Sequence, residues 1–200
     1  MATSAHPTRR DLLRASAIAA SNLGLAVPRA FAQAGLTPTP ACHDGATPTT
    51  RQTEGPYFKP RSPERADLRE PGIGGSPLAL SGLVLTRACR PVARALVDLW
   101  HADDAGEYDN AGFRLRGHVF SDDDGRYMFR TIVPGLYRPR ARHVHVKVQA
   151  PGRPVLTTQF YFPDEPDNRR DPLFRPELTL RLAETGDGRT ARFDVVLDMG

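Results

Sequence analysis

The chain has 200 residues, 40% hydrophobic and 25% charged, values of an ordinary globular domain rather than of a disordered or membrane-embedded chain. That length allows one domain with a sizeable core. The formal charge is +4, but residues 1–32 hold Arg9, Arg10, Arg14 and Arg29 against Asp11 alone, so +3 of it lies there and residues 33–200 carry +1. So small an excess excludes the basic footprint of a nucleic-acid binder.

Residues 1–32 read as an address. Thr8-Arg9-Arg10-Asp11-Leu12-Leu13-Arg14 resembles a twin-arginine export signal, a mildly apolar stretch follows from Ala17 to Val27, and Ala30-Phe31-Ala32 has the small-x-small pattern of a signal peptidase site. A short amphipathic helix is the plainer alternative. Cleavage after Ala32 would leave a soluble periplasmic or extracellular protein with no membrane span, because no other segment approaches the ~18 apolar residues that spanning requires. Cys42 and Cys89 would then enter an oxidising compartment. One disulfide is their only intramolecular pairing, and two buried free thiols are the other reading.

Residues 33–53 are rich in Pro and Thr without any period, and residues 59–77 contain four prolines among many charges. Residues 33–79 are therefore expected to form an extended arm. From Leu80 the pattern changes to short runs separated by turn residues, predicting strands near 80–86, 94–102, 113–120, 126–132, 141–149, 154–162 and 190–197. The 19 prolines and 17 glycines also favour turn-rich β-structure. About seven short strands and almost no helix predict an all-β sandwich over residues 80–200. Ser121-Asp122-Asp123-Asp124-Gly125 reads as a hairpin turn, and residues 163–189 as a proline-rich interruption before the last strand.

Arg140-Ala141-Arg142-His143-Val144-His145-Val146 carries the chemistry. Residues two apart on a strand face the same side, so His143 and His145 point together while Val144 and Val146 point into the opposite layer. Two imidazoles on one face make half a metal site, of a kind that serves zinc, copper and iron, and an unligated pair has the same pattern. Further donors are needed. Acids near His143 are few, whereas Tyr137 lies six residues before it and Tyr108 follows a Gly-Glu turn after Trp100.

Four runs in order resemble one family. Val97 to Tyr108 (Val97, Trp100, Ala102, Asp103, Gly106, Tyr108), Gly125 to Tyr137 (Gly125, Tyr127, Phe129, Thr131, Ile132, Pro134, Gly135, Tyr137), Arg140 to His145, and Thr158-Gln159-Phe160-Tyr161-Phe162 are similar to segments of the intradiol ring-cleavage dioxygenases, and Thr53-Glu54-Gly55-Pro56-Tyr57 fits as an opening. The resemblance covers residues 53–162. It implies a prealbumin-like β-sandwich with one iron(III) per chain, held by Tyr108, Tyr137, His143 and His145. It further implies Arg140 beside the substrate, Gln159 near the ring, Gly55 and Pro56 at the pocket mouth, and Tyr137 as the tyrosinate that leaves to take a substrate proton. Substrates would be a catechol and dioxygen, and the product a muconate-type diacid. Arg142 departs from the family's Arg-Pro-Ala-His-Ile-His pattern and should face away from the iron. A long N-terminal helical region, used elsewhere in the family for dimerisation, is missing, so a homo-oligomer stays an open expectation.

The donor chemistry agrees with the resemblance. Hard phenolate oxygens favour a small trivalent cation, which lowers the phenol pKa from about 10, and two tyrosinates plus hydroxide cancel a 3+ charge. Two other classes compete: a catalytically silent binding sandwich sharing the same turn grammar, and a zinc hydrolase, which lacks a convincing third ligand. His101 and His118 are expected to be structural or supporting histidines.

Overall fold

The computed structural model describes Cys42 and residues 45–200. The export address falls outside them. Among the described residues nine strands form two sheets: β1 (Pro77–Leu85), β2 (Leu96–Trp100), β3 (Arg116–Phe120), β4 (Arg126–Ile132), β5 (His143–Gln149), β6 (Leu156–Tyr161), β7 (Arg181–Thr185), β8 (Gly188–Arg192) and β9 (Val195–Val196). Single 3-10 turns occupy Pro166–Arg169 and Pro176–Leu178. One sheet runs β4-β1-β8-β7, with β9 also paired to β1, and the other runs β3-β2-β5-β6. The β-sandwich expectation holds. Among the described residues no helix is long and apolar enough to cross a membrane.

The alternation of β5 builds the interface between the sheets. Val144, Val146 and Val148 are fully buried and pair across β6 with Phe160, Thr158 and Leu156. β-branched side chains suit a pleated surface, and burying each valine contributes roughly 2 kcal/mol on area grounds. From the other sheet Leu80, Val84 and Phe129 complete the core, and Phe193 stacks on Phe160 with ring centroids 4.2 Å apart.

The charged segment before β1 is ordered because it closes both sheets along one side. Glu64 bridges His118 on β3 and Asp67 bridges Arg130 on β4, while Leu68 enters the core. Upstream, Thr49 donates its backbone N–H to Val196 and Gln52 to Thr157, so this stretch also spans the two sheets.

Three strand expectations are corrected. The turn at Ser121–Gly125 is not a hairpin, because β3 and β4 belong to different sheets. Asp122 does organise a tight reversal, its Oδ1 accepting from the N–H groups of Asp124 and Arg126 at 3.0 and 2.7 Å, but turn chemistry does not say which sheet each flank joins. The interruption at 163–189 hides β7, an edge strand with no fully buried residue and hence little hydrophobic pattern. The single strand expected at 190–197 is two. Gly82 makes the break: a Cβ there would lie 1.7 Å from the Phe193 carbonyl oxygen. The Asp194 carboxylate takes the place of a main-chain acceptor for the Leu83 N–H at 2.9 Å.

Cys42 and Cys89 form the disulfide, 47 residues apart. Closing a loop of that size stabilises by about 4 kcal/mol on the chain-entropy model. Thiol labelling of denatured, unreduced protein should find no free cysteine, and replacing both by serine should lower the denaturant midpoint accordingly. Gly82→Ala should cost more than about 3 kcal/mol, read from the same curves, because backbone rather than a flexible side chain occupies the space.

Candidate metal centre

The site stands on the outer face of the four-stranded sheet, away from the core. Strand register sets two rows across it: Arg116, Trp100, His145 and Gln159, and beside them His118, Asp98, Lys147 and Thr157, with His143 opposite Tyr161 at one end. An outer face is normally solvated. Here His143, His145 and Gln159 are buried beneath residues 53–64 and the loops carrying Tyr108 and Tyr137. This roof is pinned residue by residue. Glu54 pairs with Lys147 at 2.6 Å, the Lys147 ammonium lies 3.6 Å from the Phe58 ring centroid, and Phe58 packs on Trp100. Ser62 Oγ donates to Asp98 Oδ1 at 2.8 Å and meets His118 Nδ1 at 3.1 Å. Gly55 has φ +69°, and a Cβ there would come within 3.2 Å of His145 Cε1, so the roof needs glycine where it crosses the imidazole. Pro56, next to it, is exposed.

The expected donors converge. His143 Nδ1 donates to the Ala141 carbonyl at 2.6 Å, which leaves the Nε2 lone pair free. The Nε2 atoms of His143 and His145 are 3.1 Å apart, and Tyr108 Oη lies 3.5 Å from His143 Nε2. Tyr137 joins through its ring, 5.6 Å from that of Tyr108. Its hydroxyl is 2.8 Å from that of Tyr57, whose ring stacks on Tyr108 at 4.6 Å. Burial pushes His143 down to about 4 and His145 well below its ordinary value, so both imidazoles are neutral at pH 7. Burial raises Tyr108, against the charges of Arg140 and Arg116, so without a cation it stays a phenol.

This set fits a hard cation. Donors about 2.1 Å from one ion and about 90–110° apart lie about 3.0–3.4 Å from each other, close to the separations of the two Nε2 atoms and of Tyr108 Oη. Among the described residues no three His, Cys, Asp or Glu side chains gather, so the zinc reading finds no third ligand of its usual kinds. A cavity of about 220 Å³ beside Tyr108 is lined by His101 but not by His143, His145 or Arg140, and is not where a substrate would meet these donors.

Arg140 is held as a fork. Its Nε donates to Asp171 at 2.8 Å, and its Nη2 donates to Gln159 Oε1 at 2.7 Å and to Tyr161 Oη at 3.1 Å. Gln159 is fixed in turn by donating to the Thr53 carbonyl at 2.8 Å. Burial pushes the Tyr161 phenol up to about 12. Arg142 faces Glu165 and the Pro134 carbonyl, away from the donors. His101 is a buried structural histidine bonded to Ala102 O and Thr131 Oγ1, both at 2.7 Å.

Sequence reasoning passed over Tyr57, Trp100, Asp171 and Arg116 as parts of the site. Trp100 stacks on His145 at 5.0 Å, which the pairing of β2 with β5 would have revealed. Asp171 lies in a stretch with no period to read.

A family profile described as Dioxygenase matches residues 53–199, which contain every one of these donors. The chain belongs to the intradiol dioxygenase family. It is 32% identical over 170 residues to catechol 1,2-dioxygenase 2 of Acinetobacter lwoffii, covering 72% of this chain and 58% of that one. Hydroxyquinol 1,2-dioxygenase of Nocardioides simplex is 31% identical over 195 residues, covering 78% and 66%. The chain thus spans under two thirds of the first relative's length. Among solved structures, the dioxygenase domain of a dioxygenase carbohydrate-binding protein fusion from Streptomyces sp. SirexAA-E is 55% identical with a TM-score of 0.75, covering 77% of this chain and 100% of that one.

Buried neutral histidines make the protein, with no metal bound, sensitive to acid. Burial pushes His101, like His143, from 6.5 to about 4, so the unfolded chain takes up protons first, and stability falls as pH drops from 6.5 towards 4. Unfolding free energies from denaturant curves should fall between about pH 7 and pH 5 by about 2 kcal/mol for each of these two histidines. Asp98, raised by burial, works in the opposite direction, as pH falls from its raised folded value to its ordinary one near 3.8.

Proposed function

We propose that this dioxygenase uses iron(III) held by Tyr108, Tyr137, His143 and His145 to open a catecholic ring between its two hydroxyl-bearing carbons. Both atoms of O2 enter the product, a muconate-type diacid. The observation that carries this reading is the convergence of two neutral imidazole Nε2 atoms and the Tyr108 hydroxyl, 3.1 and 3.5 Å apart, in a chain of this family. Iron(III), when bound, supplies a Lewis acid that binds the catechol and makes its ring open to dioxygen.

The protein's own residues do the rest. The guanidinium of Arg140, fixed by Asp171, Gln159 and Tyr161, stabilises negative charge developing on the ring, as a preorganised donor does where charge appears. The Tyr137 oxygen takes a proton from the substrate, and the Tyr57 hydroxyl at 2.8 Å holds it in place. Gly55, with no side chain, lets the roof cross close above His145, and Gln159 ties the roof to Arg140. Export through residues 1–32 to an oxidising compartment belongs to the same proposal, and the disulfide supports it.

Purified protein should be red-brown with about one iron per chain, because tyrosinate on iron(III) absorbs in the visible. Tyr108→Phe and Tyr137→Phe should each weaken or shift that band, and His143→Ala or His145→Ala should lose iron. A colourless protein that takes up no iron would leave a binding sandwich. Arg140→Ala should keep its iron and lose about 100-fold or more in turnover. Oxygen uptake with catechol, protocatechuate, hydroxyquinol and chlorinated catechols measures that loss and identifies the substrate.

A further inference from the structure

We infer that Arg116 is a positioning residue for the candidate centre: one buried guanidinium ties the backbone of the roof and of the Tyr108 loop to β3. The inference rests on the metal-centre reading above. Arg116 is 2% exposed. Its Nη1 donates to the Tyr57 carbonyl at 2.6 Å, and its Nε and Nη2 donate to the Asp109 carbonyl at 3.2 and 3.0 Å. The two carbonyls belong to the residues that present the stacked pair of phenols, Tyr57 itself and the neighbour of Tyr108.

The partners are unusual for a buried arginine. Arg140 and Arg142 each meet a carboxylate, but among the described residues none pairs with Arg116. The Asp109 carboxylate turns instead to the N–H groups of Ala111, Gly112 and Arg114, and Asp98 is held by Ser62. Arginine cannot shed its proton inside a protein, so a full charge is buried against carbonyl oxygens alone. A neutral amide could donate to two carbonyls without that desolvation cost. What the guanidinium adds is a rigid planar fork whose three donors reach both carbonyls at once. The backbone bends to deliver it: Leu115, just before Arg116, is buried at φ 54°, a left-handed conformation costly for leucine that persists only where its surroundings hold it.

Arg116→Lys keeps the charge and loses the fork, and Arg116→Gln keeps a donor and loses the charge. Each is made in the full chain, with thermal melting of the iron-free protein as the folding check. Iron affinity by chelator competition should fall about 10- to 100-fold in both, the range for residues that orient ligands. Near-ultraviolet circular dichroism of iron-free protein reports the Tyr57–Tyr108 stack without any metal, and it should weaken in Lys. A folded Lys variant with the wild-type near-ultraviolet signal overturns the clamp, and a folded variant of either kind with wild-type iron affinity overturns its positioning of the centre. If Gln does not fold, Lys alone decides. Wild-type protein without a tyrosinate band sinks the metal-centre reading instead, and the near-ultraviolet comparison still decides the clamp.

Discussion

Everything at this site depends on β5 being covered on both faces. A two-layer sandwich needs only one face of each sheet buried, and Val144, Val146 and Val148 meet that need. The opposite face holds His143, His145 and Lys147, and burying it brings polar groups out of water, each of which then needs a partner. The roof supplies those partners: Glu54 for Lys147, Ser62 for Asp98, the Thr53 carbonyl for Gln159 and the Tyr57 carbonyl for Arg116. Trp100 Nε1 and His145 Nδ1 are left without one among the described residues, and their rings lie stacked on each other.

The electrostatics follow from the same burial. Arg140 and Arg116 place two positive charges near the donors, and of these only Arg140 has a carboxylate, that of Asp171, with no side-chain exposure. Desolvation depresses both histidines and holds Tyr108 as a phenol; Arg140 depresses both histidines further, Arg116 adds to this at His145, and both arginines favour ionised Tyr108. Such a pocket keeps nitrogen donors unprotonated and is hospitable to anions. Those are the properties that a phenolate-ligated cation and an ionised diol both use.

How much of this could be read from the sequence depends on whether a residue's task is local. The period of two in His143 to Val148 gave both the facing imidazoles and the inward valines, and an even number of cysteines behind an expected export signal pointed to the disulfide. Tyr108 and Tyr137 were legible as partners of the histidines only by resemblance, because they come from loops whose folding has no period. Asp171 and Arg116 act across the fold, meeting residues 31 positions away in one case and 59 in the other. Their pairing is a product of topology. The same holds for the split between β8 and β9, which depends on a glycine of β1 more than a hundred residues upstream. Edge strand β7 escaped because a half-exposed strand has little hydrophobic contrast.

The pleat of β5 also couples the two halves of the molecule's purpose. Deleting or inserting one residue within His143–Gln149 would exchange its faces, turning valines toward the roof and imidazoles into the core. Packing and ligation would be lost in the same step. The turn at Gly186 and Asp187, between β7 and β8, carries no such coupling and has room for change. Length variation in this lineage should therefore be confined to the outlying hairpin and the loops, with the central strand held to a fixed count of residues even where their identities drift.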